Sequence, residues 1–145
     1  LSADETWGIL GRRWVGVARL THQVRGEPPT PGCALEILWQ SGEVTVLDEN
    51  TDLTLSVTSS QWRDPYANCD EAQLTRLATE VGLWSRQEPA AGDPLARIIG
   101  ETATGVEPIL NRVMELAGIN IRFDSVALSA TVAMGGLLEV VVSPP

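Results

Sequence analysis

Residues able to carry acid–base or nucleophilic chemistry are scarce in this chain. His22 is the only histidine, so a serine or cysteine triad would have to use it as the base. It stands between a predicted strand and a proline-containing loop, and no nucleophile elbow lies nearby. Histidine-based zinc sites usually need more than one histidine. The sequence therefore predicts a solvated or hydrogen-bonded histidine, and neither a catalytic triad nor a zinc site.

Carboxylates are the second group that could act chemically. Asp48, Asn50 and Asp52 imitate the opening of a calcium-binding loop. An EF-hand loop has glycine at its sixth position and glutamate at its twelfth, where this chain has Leu53 and Ser59. The segment is therefore interpreted as an acidic β-turn, with weak cation binding as the remaining alternative.

Paired catalytic acids would have to converge in space, which their spacing in the sequence does not establish. By residue type alone the candidates are Glu36, Glu43, Asp64 and Asp124. Gly11 and Gly16 lack the Gly-Lys-Ser/Thr ending of a phosphate-binding loop. The sequence accordingly predicts no catalytic residue, no metal and no cofactor.

The charge balance limits the classes of partner. The chain has 19 acidic against 10 basic residues, a formal charge of −9, and every basic residue is arginine. A negative field repels the phosphates of nucleic acids and speeds encounter with a basic protein. No apolar run approaches the roughly 18 residues of a membrane-spanning helix, and no secretory signal is recognised. We therefore expect a cytoplasmic protein that binds neither nucleic acid nor membrane.

The two cysteines, Cys33 and Cys69, match no zinc or redox motif. They are expected to be partly buried thiols, with one disulfide as the alternative in an oxidising compartment.

Period-two hydrophobic alternation predicts an antiparallel meander in the first half of the chain. Leu35, Ile37 and Trp39 share one face, Glu36 lies on the other, and Ser41-Gly42 forms the turn. The predicted elements are a short helical turn over 2–11, a strand over 13–20, a loop over 26–32, strands over 34–40, 44–46 and 53–58, and an acidic turn over 48–52.

One helix is predicted, over residues 70–82. Asp70 is its N-cap with Gln73 three residues later, and Gly82 ends it. Its apolar stripe, expected to pack on the core, consists of Leu74, Leu77, Val81 and Trp84. Trp39 and Trp84 are both predicted to be core residues.

The last third is predicted to be extended. Residues 106–116 have some helical spacing, but Pro108 disfavours a helix there. Phe123–Val132 and Leu137–Val142 predict a closing hairpin around Gly135-Gly136. The expected fold is α+β and β-rich, with antiparallel sheets in two halves of a single domain spanning residues 1–145.

The halves, 4–58 and 93–143, show signs of an internal duplication. Aligning 4–17 with 93–106 matches Ile9 with Ile98, Gly11 with Gly100, and further pairs at the same shift. A coincidental match is the alternative.

The glycine-terminated turns Ile9-Leu10-Gly11 and Ile98-Ile99-Gly100, with a hairpin and a capped central helix between them, resemble small uncharacterised proteins of GC-rich bacteria. Some of those proteins are immunity proteins that neutralise polymorphic toxins. The resemblance carries no catalytic residues.

The sequence thus favours a non-enzymatic protein-interaction module, and the resemblance suggests a toxin-neutralising immunity protein with a basic toxin domain as partner. The predicted contact residues are an acidic group, Asp48, Glu49 and Asp52, and a second patch, Trp62, Arg63 and Asp64. The alternative is a small-molecule binder or enzyme with its pocket between the two halves. A structural subunit with a symmetric apolar interface is a third hypothesis.

Overall fold

A computed structural model describes residues 7–30, 34–133 and 136–144 of the 145-residue chain. Within these residues the chain forms nine β-strands and one α-helix, and the strands make two antiparallel sheets. The predicted α+β, β-rich fold with two β-rich halves is therefore confirmed.

The first sheet consists of β1 (Trp14–Gln23), β2 (Ala34–Trp39), β3 (Val44–Glu49), β4 (Leu55–Thr58) and β5 (Leu83–Gln87). Their spatial order is β4-β3-β2-β1-β5, and all neighbours are antiparallel. The meander β1 to β4 follows chain order, as the alternation predicted. The sequence did not predict β5, because its residues, Leu-Trp-Ser-Arg-Gln, show no two-residue alternation of apolar and polar side chains. Four of the five are exposed in the structure.

The second sheet consists of β6 (Gly105–Leu110), β7 (Leu116–Arg122), β8 (Ala127–Ala133) and β9 (Leu137–Ser143), in that order. The extended segment expected over 106–116 is β6 followed by a tight turn. The expected closing hairpin is β8 with β9, and of its two glycines Gly136 has a positive φ of 78° while Gly135 lies outside the described residues.

The acidic turn begins later than the alternation predicted. Asp48 pairs with Ser56 and Glu49 with Leu55, so both acids belong to β3. The turn itself closes when the Asn50 amide donates to the Thr54 carbonyl at 2.8 Å. Pairing with β4 extends the strand past the point where the apolar alternation stops.

The two sheets pack face to face over one apolar core. Trp14 lies edge-on to Trp39, with ring centroids 5.7 Å apart, and edge-on to Phe123 of the second half at 5.6 Å. Leu35 and Ile37 are fully buried beside them, as predicted for the inner face of β2. Such edge-to-face aromatic contacts add to the stabilisation from buried area.

The helix α1 (Glu71–Glu80) has the predicted capping box: Asp70 accepts from the Gln73 amide, and Gln73 accepts from the Asp70 amide. Gly82 follows with a φ of +85°. The stripe, however, is not in the core: no residue of α1 is buried, and Trp84 is 49% exposed on β5. The second sheet already fills the inner face of the first sheet, so only its periphery is left for the helix.

A short antiparallel link joins the halves, and the link itself has approximate two-fold symmetry. Arg13 pairs with Thr102 in this link. When each residue is replaced by its counterpart in the alignment that matches Ile9 with Ile98, every hydrogen bond of the link becomes another bond of the link. The bonds run from Gly11 N to Ala103 O (2.9 Å), Gly100 N to Trp14 O (2.7 Å), Trp14 N to Glu101 O (2.8 Å) and Ala103 N to Arg12 O (2.9 Å). A duplication in evolution stays a prediction, but the hydrogen bonds of the link follow the symmetry that it implies.

Some predictions fall outside the described residues. They concern Cys33 and the start of the helical turn over 2–11, of which residues 7–11 form turns, with a φ of +83° at Gly11. Cys69 is a half-buried free thiol. Among the described residues, no helix has the length and apolar character needed to cross a bilayer.

The different environments of two tryptophans give a direct test of the packing. Replacing buried Trp39 with alanine should cost about 3–5 kcal/mol of unfolding free energy, because it leaves a cavity between the sheets. Replacing Trp84, half-exposed on β5, should cost less than about 1 kcal/mol. Urea unfolding followed by circular dichroism measures both, and equal losses would contradict this packing.

Candidate functional site

The acidic group predicted to bind a partner is divided by the pleat of β3. Asp48 is on the outer face of the first sheet, opposite Ser56, whereas Glu49 is on the inner face, opposite Leu55. Both side chains are half-buried, and the Asp48 carboxylate accepts from the Glu49 amide at 2.8 Å. Only Asp52 is fully exposed. The three acids therefore do not form one continuous face.

Glu49 has the least favourable environment of these acids for an ionised side chain. Its Oε2 atom is shielded from solvent and has no hydrogen-bond partner in the described part of the chain. Burial raises the pKa of Glu49, and neighbouring Asp48 raises it further. The backbone amides of Glu49 and of Leu138 in β9 favour the ionised form and oppose this shift.

The surroundings of Asp52, in contrast to those of Glu49, stabilise the ionised carboxylate. Its carboxylate accepts from the Thr54 hydroxyl at 2.5 Å and from the Thr54 amide at 3.2 Å. The hydroxyl contact is the main reason that the pKa of Asp52 is lowered. The Asn50 side chain also donates to Thr54, at 3.0 Å, so the turn is well ordered by its own polar groups.

The second predicted patch lies on the crossing segment, residues 59–70, which leaves the β4 edge and passes over the outer face of the first sheet. The Trp62 amide donates to Glu36 Oε2 at 2.9 Å, and the Trp62 side chain is half-buried. Arg63 and Asp64 are exposed, and Asp64 accepts from the Tyr66 amide at 2.8 Å. Trp62 therefore lies in irregular backbone anchored to β2, and Asp64 directly precedes the turn over residues 65–68.

Glu36, predicted on the outer polar face, is on that face but is only 3% exposed. Besides the Trp62 amide, it accepts from Arg86 Nε of β5 at 2.7 Å. This hydrogen bond is the main reason that the pKa of Arg86 is raised. One carboxylate thus joins β2, β5 and the crossing segment, which β-alternation alone could not reveal.

Apolar side chains are most exposed at the β6–β7 tip, residues 110–115. Val113 is 69% and Met114 72% exposed, the highest values for large apolar side chains in the described ranges. Asn111 Oδ1 accepts from the amides of Val113 and Glu115, each at 3.0 Å. Met114 has a φ of +63°, which costs energy for a residue other than glycine. The tip thus presents two exposed apolar side chains between exposed Arg112 and Glu115, on a turn that the Asn111 hydrogen bonds stabilise.

The sequence prediction missed this tip. The spacing of Ile109, Val113 and Leu116 suggested a helix or a continuous extended segment. The available signal was Asn111, a residue type that often bonds to the backbone two residues on and starts a turn.

His22 has a structural role. Its Nδ1 lies 3.1 Å from the Thr30 hydroxyl and its Nε2 lies 2.8 Å from the Val81 carbonyl. Its ring contacts Trp84 at a centroid distance of 5.1 Å. Both ring nitrogens are therefore engaged, which fits the predicted hydrogen-bonded histidine. Among the described residues, no three His, Cys, Asp or Glu side chains are grouped to hold a metal.

The surface grooves are open; one of about 150 Å³ lies between β1 and Ile99 of the second half, and the others lie on the first half. Two adjoining grooves, of about 200 and 340 Å³, share Glu43, Val44 and Ser59, and Glu43 forms a salt bridge there with Arg12. Of four grooves along the described residues, none includes a residue of β6 to β9. The space between the halves is occupied by Trp14, Trp39 and Phe123 instead.

Comparison with protein-family models, with curated proteins and with solved structures finds no significant match to this chain. Its function must therefore be argued from its own surfaces.

Glu49 and Asp52 should influence stability in opposite directions with pH. A raised pKa means that ionised Glu49 is unfavourable in the fold, so E49Q should be more stable than the parent near neutral pH, by about 1 kcal/mol for one orphaned acceptor. The gain should vanish as the pH falls below the usual glutamate pKa. D52N should be less stable near neutral pH, with the difference vanishing as the pH falls through the lowered pKa of Asp52.

Thermal unfolding at about pH 7 and about pH 2 measures both variants, because the usual pKa values of aspartate and glutamate, roughly 4, lie between these two conditions. A stabilised D52N or a destabilised E49Q at neutral pH would show that the assigned environments are wrong.

The buried carboxylate should hold the crossing segment in place. E36A should lower the unfolding free energy by about 1–3 kcal/mol, because the Trp62 amide and Arg86 lose their common acceptor. E88A, which removes the exposed second partner of Arg86, is the matched control and should cost less than about 0.5 kcal/mol. Hydrogen exchange at the Trp62 amide should accelerate only in E36A, and unchanged exchange would contradict the role of Glu36.

Proposed function

We propose that this protein is a non-enzymatic protein-binding module whose principal contact element is the β6–β7 tip. The observation that carries the proposal is the exposure of Val113 and Met114 on a turn fixed by Asn111. An ordered apolar side chain loses little conformational entropy on binding, and its burial in a partner supplies the affinity. An exposed turn of this kind fits a concave apolar site.

The net charge supports a basic partner. A chain of formal charge −9 accelerates encounter with a positive surface, and this effect weakens as salt screens it. In this proposal Asp48 and exposed Asp52 contribute to the long-range field, while Glu49, half-buried on the inner face, contributes less. Trp62, Arg63 and Asp64 form a second, weaker contact on the crossing segment.

The finer proposal is that the partner is a bacterial toxin domain and that the chain is its immunity protein. The resemblance of the Ile9-Leu10-Gly11 and Ile98-Ile99-Gly100 turns to proteins of that group is its source. A toxin active site is concave, and active sites that bind phosphates are basic. A projecting apolar tip on an acidic chain has the shape and charge to occlude such a site.

The alternative, a small-molecule binder or enzyme, has weaker support. Ligand pockets usually enclose most of a ligand's surface, whereas the grooves of about 200 and 340 Å³ beside Glu43 are open. The Arg12–Glu43 pair there would suit a small polar molecule.

Site-specific crosslinking tests the proposal in the full chain. A photo-crosslinking amino acid at Val113, introduced in cells of the source organism, should give a discrete protein adduct. The same amino acid at exposed Ala72 on α1 is the control and should not give that adduct. The protein identified in the adduct, once purified, should bind the wild-type chain. M114D should raise the dissociation constant of that complex about tenfold or more. Identical adducts from both positions, or unchanged affinity of M114D, would refute the role of the tip.

A further inference from the structure

The four sheet edges of the described fold differ in how well they are protected against pairing with another strand. β4 has only four residues. The free edge of β5 is capped where the Trp84 amide donates to the Tyr66 hydroxyl at 2.8 Å. β6 contains Pro108, which has no amide hydrogen. Short strands, covering loops and proline are the devices by which proteins block edge pairing.

β9 has none of these devices over most of its length. It is seven residues long, has no proline, and carries one charge, Glu139, beside three consecutive valines. β-branched residues favour extended backbone. On its outer face Glu139, Val141 and Ser143 are all exposed, and the apolar one among them, Val141, is 56% exposed.

The direction of the backbone groups of β9 follows from one contact. At the β8–β9 turn the Gly136 amide donates to the Ala133 carbonyl at 3.0 Å and Ala133 pairs with Leu137, so Leu137 is bonded to β8 and the next residue, Leu138, directs its amide away from β8. Residues of an antiparallel strand alternate between those bonded to the neighbour and those directed away. Val140 and Val142 therefore also direct their N–H and C=O groups to the free side, and neither has another backbone partner within the described chain.

We propose that this edge is a self-association surface and that its partner is the β9 strand of a second copy of the chain. In the register that uses all the free groups, the two-fold axis passes beside Val141, and Val140 exchanges both hydrogen bonds with Val142 of the partner subunit. A shift toward the N-terminus would need the Leu138 amide, which Glu49 engages, and a shift the other way would need Pro144, which has no amide hydrogen.

The side chains agree with this register. Val141 faces Val141 of the partner subunit, and Glu139 faces Ser143 of the partner subunit, so no like charges are opposed although the whole chain is acidic. On the inner side, half-buried Val140 and Val142 bury more apolar surface against each other. The two sheets become one continuous sheet across both copies. This inference is independent of the proposed function, because β9 and the β6–β7 tip lie on different strands.

Sedimentation equilibrium of the full chain tests the inference. As its concentration is raised to about 1 mM, the range of weak specific association, the wild type should reach twice the 15.6 kDa chain mass. V141E and V141K each place like charges face to face and should be monomeric, while an equimolar mixture of the two should regain the doubled mass. V113E, the same valine-to-glutamate change at the exposed β6–β7 tip, is the control and should remain dimeric.

Circular dichroism must show that each variant is folded, which the exposure of Val141 makes the expected result. A monomeric wild type would overturn the proposal. So would a V141E or V141K variant that keeps the doubled mass, a mixture that stays monomeric, or a V113E variant that dissociates.

Discussion

Burial of Trp14 between Trp39 and Phe123 is the interaction on which this structure depends. Each sheet has one strongly apolar face, and only the other sheet can cover it. Trp14 stands where the link between the halves meets β1, so it touches the inner faces of both sheets at once. The flanking Ile9 and Ile98, fully buried and related by the approximate two-fold axis of the link, extend the same contact. The space that a ligand would need between the halves is filled by these side chains.

The two halves differ on their outer faces. In the first half the crossing segment and α1 connect the two sheet edges, and Glu36 is buried where that connection passes over β2. A buried carboxylate is tolerated there because Arg86 and the Trp62 amide satisfy both of its oxygens. The second half has no such insertion among the described residues between β6 and β9. The two most exposed large apolar side chains of the described residues, Val113 and Met114, are found there.

These features fit a protein that acts through its surface. The polar groups with the clearest local roles, His22, Glu36 and Asp52, are engaged in fixing loops rather than converging on a cleft. The β6–β7 tip and the β9 edge lie at opposite sides of the second sheet, since β6 and β9 are its two edge strands. Contact with a different protein at the tip and association of two copies at β9 can therefore occur together without competition.

Local chemistry in the sequence determined the fold class, the hairpin at Gly42, the capping box of Asp70 and Gln73, and the buried face of Leu35, Ile37 and Trp39. Each depends on residues a few positions apart. Tertiary structure alone decided whether an apolar stripe is covered: Trp84 has the same local pattern as a core residue, yet the second sheet occupies the face it would have needed. It also decided that Asp48 and Glu49 face opposite sides, that Glu36 is buried, and that Val113 and Met114 are not. Those outcomes depend on strand pairing and on partners far along the chain, which neither composition nor periodicity records.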